Sequence, residues 1–191
     1  MNSRDLRNAY QMFMSRIWDR WRADESKMRI REFQDLLFCI KEIFIESDFI
    51  RKPHEGVPFQ LITIRGDGGI STFSPELSAT KSLNYGDFLI GNVLTDSPLN
   101  VANKLMGSRL YRDAMTSRKM CKETCSYHPL CGGALFSNKF AEHGSLLATE
   151  TTSCRLHRQA LSDVVLDKLA AGPETGNQRV APLPDSARAI A

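Results

Sequence analysis

Cys121, Cys125, Cys131 and Cys154 are the residues of this chain best equipped for chemistry, spaced Cys-x3-Cys-x5-Cys-x22-Cys. Three of them fall within eleven residues and the fourth follows one loop later. That spacing does not keep four thiols on one helix face, so the backbone must loop to bring them together. Converging thiolates hold either zinc or an iron–sulfur core. A zinc ribbon usually offers two tight Cys-x2-Cys knuckles. A cubane is wider, its ligands sit on different iron corners, and it suits the open spacing seen here. Gly132-Gly133 directly after the third cysteine lets backbone run close to an inorganic core, with amides free to bond sulfide. His128 and His157 are nearby in sequence and could compete as ligands. With four cysteines in place, both read as residues around the site rather than in it.

The bulk composition sets the frame for such a site. With 191 residues, 42% hydrophobic and 25% charged, there is room for one domain, or one domain and a piece of another. A net charge of +3 is too small to indicate nucleic acid or a membrane surface. Arg109, Arg112, Arg118, Lys119 and Lys122 outnumber Asp113 and Glu123 locally, and read as a solvated face. No apolar run is long enough to span a bilayer, and the start is not a signal peptide. The expected setting is a reducing cytoplasm, where clustered cysteines favour metal over disulfides.

Residues 4–22 place Leu6, Tyr10, Phe13, Ile17 and Trp21 at helical spacing, and residues 29–46 repeat the pattern with Ile30, Phe33, Leu37, Ile40 and Phe44. Asp24-Glu25-Ser26 reads as the break between them. Cys39 lies one step off the second stripe and reads as a small core residue. Two such helices do not satisfy each other's apolar faces, and they look like the edge of something larger. From Val57 the period changes, and residues 59–64 and 70–73 flank Gly66-Asp67-Gly68-Gly69 as a β-hairpin. The glycine turn lacks the lysine and following helix of a phosphate loop. Residues 74–84 read as loop and 85–93 as a short extended piece. A helix capped by Ser97 or Asn100 runs through Val101, Leu105, Ser108 and Met115 toward Cys121. A last helix spans Arg155–Leu169, with Leu161, Val164, Val165 and Leu169 inward, and 172–191 reads as a disordered tail. The expected class is α+β.

Further residues carry a family likeness. Cys121-x3-Cys125-Ser126-Tyr127-x3-Cys131-Gly132-Gly133, then Asn138-Lys139, Glu142-x-Gly144, Thr149-Glu150-Thr151 and Cys154-Arg155-Leu156 resemble the SPASM domain. That domain is the C-terminal auxiliary-cluster module of many radical S-adenosylmethionine enzymes that modify peptides. Ser71-Thr72-Phe73-Ser74-Pro75-Glu76-Leu77, Tyr85-Gly86-Asp87-Phe88 and Gly91-Asn92-Val93 are similar to the branch that forms cyclophane crosslinks in glycine-rich-repeat precursor peptides. The likeness covers residues 57–157, with 1–50 as a helical segment and barrel remnant and 158–171 as the end of the C-terminal helix.

What the resemblance implies is specific. The family's second cluster uses the three-cysteine loop and a final cysteine, here Cys121, Cys125, Cys131 and Cys154, holding one 4Fe–4S cluster. Its first cluster uses cysteines absent here: none lies between Cys39 and Cys121, and Leu135 stands at the late position. His128, Gly132 and Gly133 fall around the ligands. The Cys-x3-Cys-x2-Cys loop that binds the S-adenosylmethionine-cleaving cluster is missing. Cys121-x3-Cys125-x2-His128 is only superficially similar to it, because histidine replaces the third thiol and no barrel strand precedes it. The implied protein is an auxiliary module without turnover of its own. Its partners would be a precursor peptide and a separate radical S-adenosylmethionine barrel subunit. S-adenosylmethionine itself would enter only in a complete enzyme. A structural zinc module and a metal-free peptide-binding module are the alternatives. Replacing Cys131 with Ser is expected to unfold much of residues 85–157, for want of apolar residues to hold the loops.

Overall fold

The computed structural model describes residues 3–24 and 28–172. In chain order the helices are α1 Ser3–Ala23, α2 Arg31–Ile45, α3 Pro98–Gly107, α4 Arg109–Thr124, α5 His128–Cys131, α6 Phe136–His143, α7 Thr152–Cys154 and α8 Leu161–Ala170. The strands are β1 Ile62–Ile64, β2 Gly69–Thr72 and β3 Gly91–Asn92, in the order β1-β2-β3. The class is α+β, rich in helix, with one small antiparallel sheet. The expected tail lies outside the described residues beyond Gly172, as do Glu25 and Ser26 of the expected break.

The two N-terminal helices form where their periodicity places them and turn most of the expected stripe inward, with Tyr10, Ile17, Trp21, Ile30, Phe33, Leu37 and Ile40 in or against one cluster, but not Phe13 or Phe44. α1 buries Met14 and Trp18, with Tyr10, Ile17 and Trp21 beside them, and leaves Phe13 exposed. α2 buries Phe33, Leu36, Cys39 and Ile40, whereas Phe44 is 86% exposed. The cause is a third helix. Leu161, Val164 and Val165 of α8 close a hydrophobic cluster with α1 and α2, so the helices rotate toward α8 and not only toward each other. The chain's own C-terminal helix thus supplies part of the partner these faces call for, while Phe13, Phe44 and Ile45 stay exposed. Trp18 meets Phe33 edge-on at 5.1 Å within it, a geometry that aromatic quadrupoles favour.

The hairpin forms, with Ile62 opposite Thr72 and Ile64 opposite Ile70, but its strands are shorter than expected, because Phe59 and Phe73 take left-handed φ of 64° and 67° and leave the ladder. The Asp67 carboxylate accepts the Gly69 amide at 3.0 Å, and Gly68 takes a left-handed φ of 83° to close the turn. Strand β3 adds to β2, but residues 85–88 are not the extended piece expected before it. They form a tight turn in which Asp87 and Phe88 adopt φ of 54° and 59°. Asp87 stabilises this by accepting the Ser82 amide at 2.9 Å. The turn swings Phe88 into a second hydrophobic cluster with Phe73, Leu77, Tyr85, Leu105, Leu110, Phe136 and Leu146.

The expected helix from Ser97 to Cys121 is two helices. Ser97 caps α3, accepting the Asn100 amide at 3.3 Å. The chain leaves helical dihedrals at Ser108 (φ −80°, ψ 157°), whose hydroxyl then accepts the Tyr111 amide at 3.1 Å and starts α4. Gly107-Ser108 is a stop followed by a cap, and the continuous apolar spacing hid it. Ser108→Ala should therefore lower stability by about 1 kcal/mol, read from the urea midpoint. A loss of only a few tenths would mean that the break needs no cap.

The second cluster also revises the expected fate of a Cys131→Ser chain. Residues 85–146 bury Phe88, Leu105, Leu110, Ala114, Ala134, Phe136 and Leu146. That is a core in its own right, so loss of one thiol does not by itself remove what holds the region.

Candidate metal centre

The four cysteines reach one place from three directions. Cys121 lies in the last turn of α4, and Cys125 is that helix's C-cap, its amide donating to the Cys121 carbonyl at 3.0 Å. This pair is one helical turn apart, so helix geometry, not looping, brings those two together. Cys131 closes the short α5, which Pro129 opens, and Cys154 closes α7. The Thr151 hydroxyl caps α7 by accepting the Cys154 amide at 2.9 Å. All four thiols line a single small cavity of about 20 Å³. All five cysteines are free, and Cys39 is buried in α2 as a core residue. Among the described residues, no group of three or more His, Cys, Asp or Glu side chains is placed to hold a metal ion.

The cavity is a hard place for thiolates without a ligand. Burial, reinforced by Cys131, pushes the Cys154 thiol up to about 11. Burial likewise raises Cys125, with Cys121 and Cys131 adding to it. A raised folded value means the folded state keeps a proton that the unfolded state gives up. The Cys154 contribution is therefore complete below the unfolded value of about 9 and fades as pH climbs toward about 11. Chelator-treated protein should lose up to about 2 kcal/mol across that window, after allowance for partial solvent exposure. Denaturant midpoints at the two ends of the window test this. A midpoint unchanged or rising with pH overturns it. Metal loading should remove the loss, because a ligated thiol has already released its proton.

His128 is buried on the cavity wall, and burial holds its imidazole below the usual range, in the neutral form. His157 is outside the cavity, exposed, with Nδ1 3.0 Å from the Tyr10 hydroxyl. Gly132 and Gly133 both have φ of 71°. They serve different neighbours. A Cβ on Gly132 would sit 2.2 Å from the Arg51 carbonyl, while one on Gly133 would press on Cys121, 3.0 Å from its Cβ. The Gly132 amide is donated to the His128 carbonyl at 2.7 Å, so it is not free for a sulfide as expected.

Several residues named only within the family likeness, and Arg158, which was not named, stand at the site. Lys139, Leu135, Thr149, Thr151 and Arg158 share the cavity wall. Arg158 sits on a π-helical stretch, Arg155–Ala160, where a single α-helix was expected; such wide turns often mark functional positions. Arg118 is not part of a solvated face: its guanidinium donates to the Gly132 carbonyl at 3.2 Å and the Gly56 carbonyl at 2.8 Å. Tyr127 donates to Asp163 at 2.6 Å and Arg7 pairs with the same carboxylate at 2.5 Å, fastening the cysteine loop to α1 and α8. A signal for Lys139 did exist. It lies three residues after Phe136 and one before Phe140, on the inward face of a short aromatic helix.

The molecule is thus an α+β protein whose four clustered cysteines face a common cavity. No family model matches the chain, and no solved structure matches it. An uncharacterized protein of Synechocystis sp. is 37% identical over 169 residues, which is 88% of this chain and 42% of that protein. The chain therefore spans less than half the length of that relative. No helix among the described residues is long and apolar enough to cross a membrane.

Four thiols, none in a disulfide, are donors of the kind that zinc and iron–sulfur cores both take. Four thiols with a glycine against one of them make up this wall.

Proposed function

We propose that this chain is an iron–sulfur module in which Cys121, Cys125, Cys131 and Cys154 hold one 4Fe–4S cluster. The observation that carries the reading is that four cysteines from separate stretches of chain, none in a disulfide, line one cavity. When bound, such a cluster supplies a one-electron site whose potential follows burial, charge and hydrogen bonds to sulfur. With four thiolates on it, the core is coordinatively closed and takes no substrate. The chain's own residues do the rest. Thr151 fixes the turn that presents Cys154, Gly133 makes room beside Cys121, and Leu135 and buried His128 keep the wall largely dry.

The finer reading rests on the motif residues. The SPASM likeness makes the chain an auxiliary module of a radical S-adenosylmethionine peptide maturase. The barrel would be supplied by a separate subunit or by a longer version of the protein, and the substrate would be a precursor peptide. Free thiols suit a reducing, cytoplasmic setting. Alone, the chain has no turnover.

Anaerobic reconstitution with iron and sulfide tests the proposal. A brown protein with about four irons per chain and thiolate-to-iron absorbance supports it. A colourless chain carrying a single zinc, or no metal, removes it.

A further inference from the structure

Lys139 is an unusual residue to bury. It is 3% exposed, and its ammonium donates to the Ser117 hydroxyl at 2.7 Å, the Gly133 carbonyl at 3.0 Å and the Cys121 sulfur at 3.3 Å. Among the described residues no carboxylate pairs with it. Neutral partners satisfy its three N–H groups but leave its charge uncompensated, and a buried charge without a counter-charge is costly. Arg158, on the same cavity wall, is a second cation among the thiols. A wall with two cations, four thiols and no carboxylate is complementary to a net negative occupant.

The geometry points to Lys139 as a positioning residue that binds the Cys121 corner of the cluster and raises its reduction potential. This rests on the iron–sulfur reading above and says how that cluster is tuned. As a thiol, Cys121 donates to the Thr149 carbonyl at 3.3 Å. As a ligand it has lost that proton, and the Lys139 hydrogen bond is what remains to it. An N–H donated to a ligand sulfur withdraws electron density from the iron. A fixed positive charge favours the reduced form, which carries one more negative charge than the oxidised one. Both effects act in the same direction. Ser117 keeps the ammonium in place, since its own hydroxyl is anchored to the Ala148 carbonyl at 2.9 Å.

The test compares reconstituted wild type with Lys139→Met, which keeps the length and removes the charge, and with Lys139→Arg, which keeps the charge. Iron content and the reduction midpoint are read on each. The expected result is a midpoint more negative in Lys139→Met by about tenfold in the one-electron equilibrium, ~59 mV, with Lys139→Arg nearer to wild type. A Lys139→Met chain that is folded but takes up no iron, while Lys139→Arg does, also supports the role. Loaded Lys139→Met with an unchanged midpoint overturns it. Should Lys139→Met not fold, Lys139→Gln removes the charge while keeping polar partners for Ser117 and Gly133, and a midpoint unmoved there overturns the inference equally. A wild-type chain that takes up no iron sinks the cluster reading itself, and this inference with it.

Discussion

Cys154→Ser should retain at least about tenfold less cluster than wild type after anaerobic reconstitution and desalting. Loss of a residue that merely supports a metal ligand already costs 10–100-fold, and here a ligand itself is removed. The consequence extends past the site because of where the cavity sits. One hydrophobic cluster joins α1, α2 and α8 and includes Leu130; the other lies under the sheet, α3, α4 and α6 and includes Ala134. Cys131–Gly133 is the short segment between those two residues. Cys121 and Cys125 belong to α4 on one side, and Cys154 leads through the π-helical stretch into α8 on the other. A group bound by all four thiols therefore ties one core to the other, and its binding free energy becomes folding free energy. Loaded wild type should unfold at a higher temperature than chelator-treated protein, and Cys154→Ser should lose that difference. Cys39→Ser is the control. It places a hydroxyl in the helical core, costs about 1–3 kcal/mol, and leaves iron uptake unchanged. Wild-type iron content in Cys154→Ser would exclude Cys154 as a ligand.

The sequence made the thiol site legible because cysteine spacing is chemistry written directly in residue type. Helix positions were legible for a similar reason, since apolar period survives whatever the helix packs against. The inward face was legible too, apart from its edges. Phe13 and Phe44 matched the stripe but lost to Met14, Trp18 and Leu36, because the partner that decides rotation, α8, lies more than a hundred residues away in sequence. The turn at Tyr85–Phe88 was equally hidden. A phenylalanine at positive φ contradicts every local preference, and it is tolerated because burial of the ring and the Asp87 hydrogen bond outweigh the local strain. Lys139 was quoted only as part of the family likeness, because a lysine in a mixed-charge stretch reads as surface, and only the fold shows that its ammonium faces sulfur. Arg118 read as surface in the same way.

Gly132→Ala and Gly133→Ala separate the two roles of the glycine pair, and the first should be the most damaging single substitution in this region. At Gly132 a methyl group meets the Arg51 carbonyl at 2.2 Å and the Pro53 ring at 2.7 Å. Those atoms belong to the linker that crosses α5, where the Arg51 amide donates to the Pro129 carbonyl at 2.9 Å. Backbone is what it strikes, so a side chain cannot simply move aside. Added to the left-handed φ of 71°, the expected cost is about 3 kcal/mol or more, present with or without metal. Gly133→Ala bears the same dihedral strain, but its methyl group faces Cys121, 3.0 Å from the Cβ and 3.5 Å from the sulfur. It should cost less, about 1–3 kcal/mol, and should weaken iron uptake out of proportion to its effect on folding. Denaturant midpoints of chelator-treated chains and iron content after reconstitution give the two readouts. If Gly132→Ala were tolerated within about 1 kcal/mol, the linker would not be seated against α5 as described. If Gly133→Ala took up iron as wild type does, the Cys121 corner would have room that this cavity does not give it.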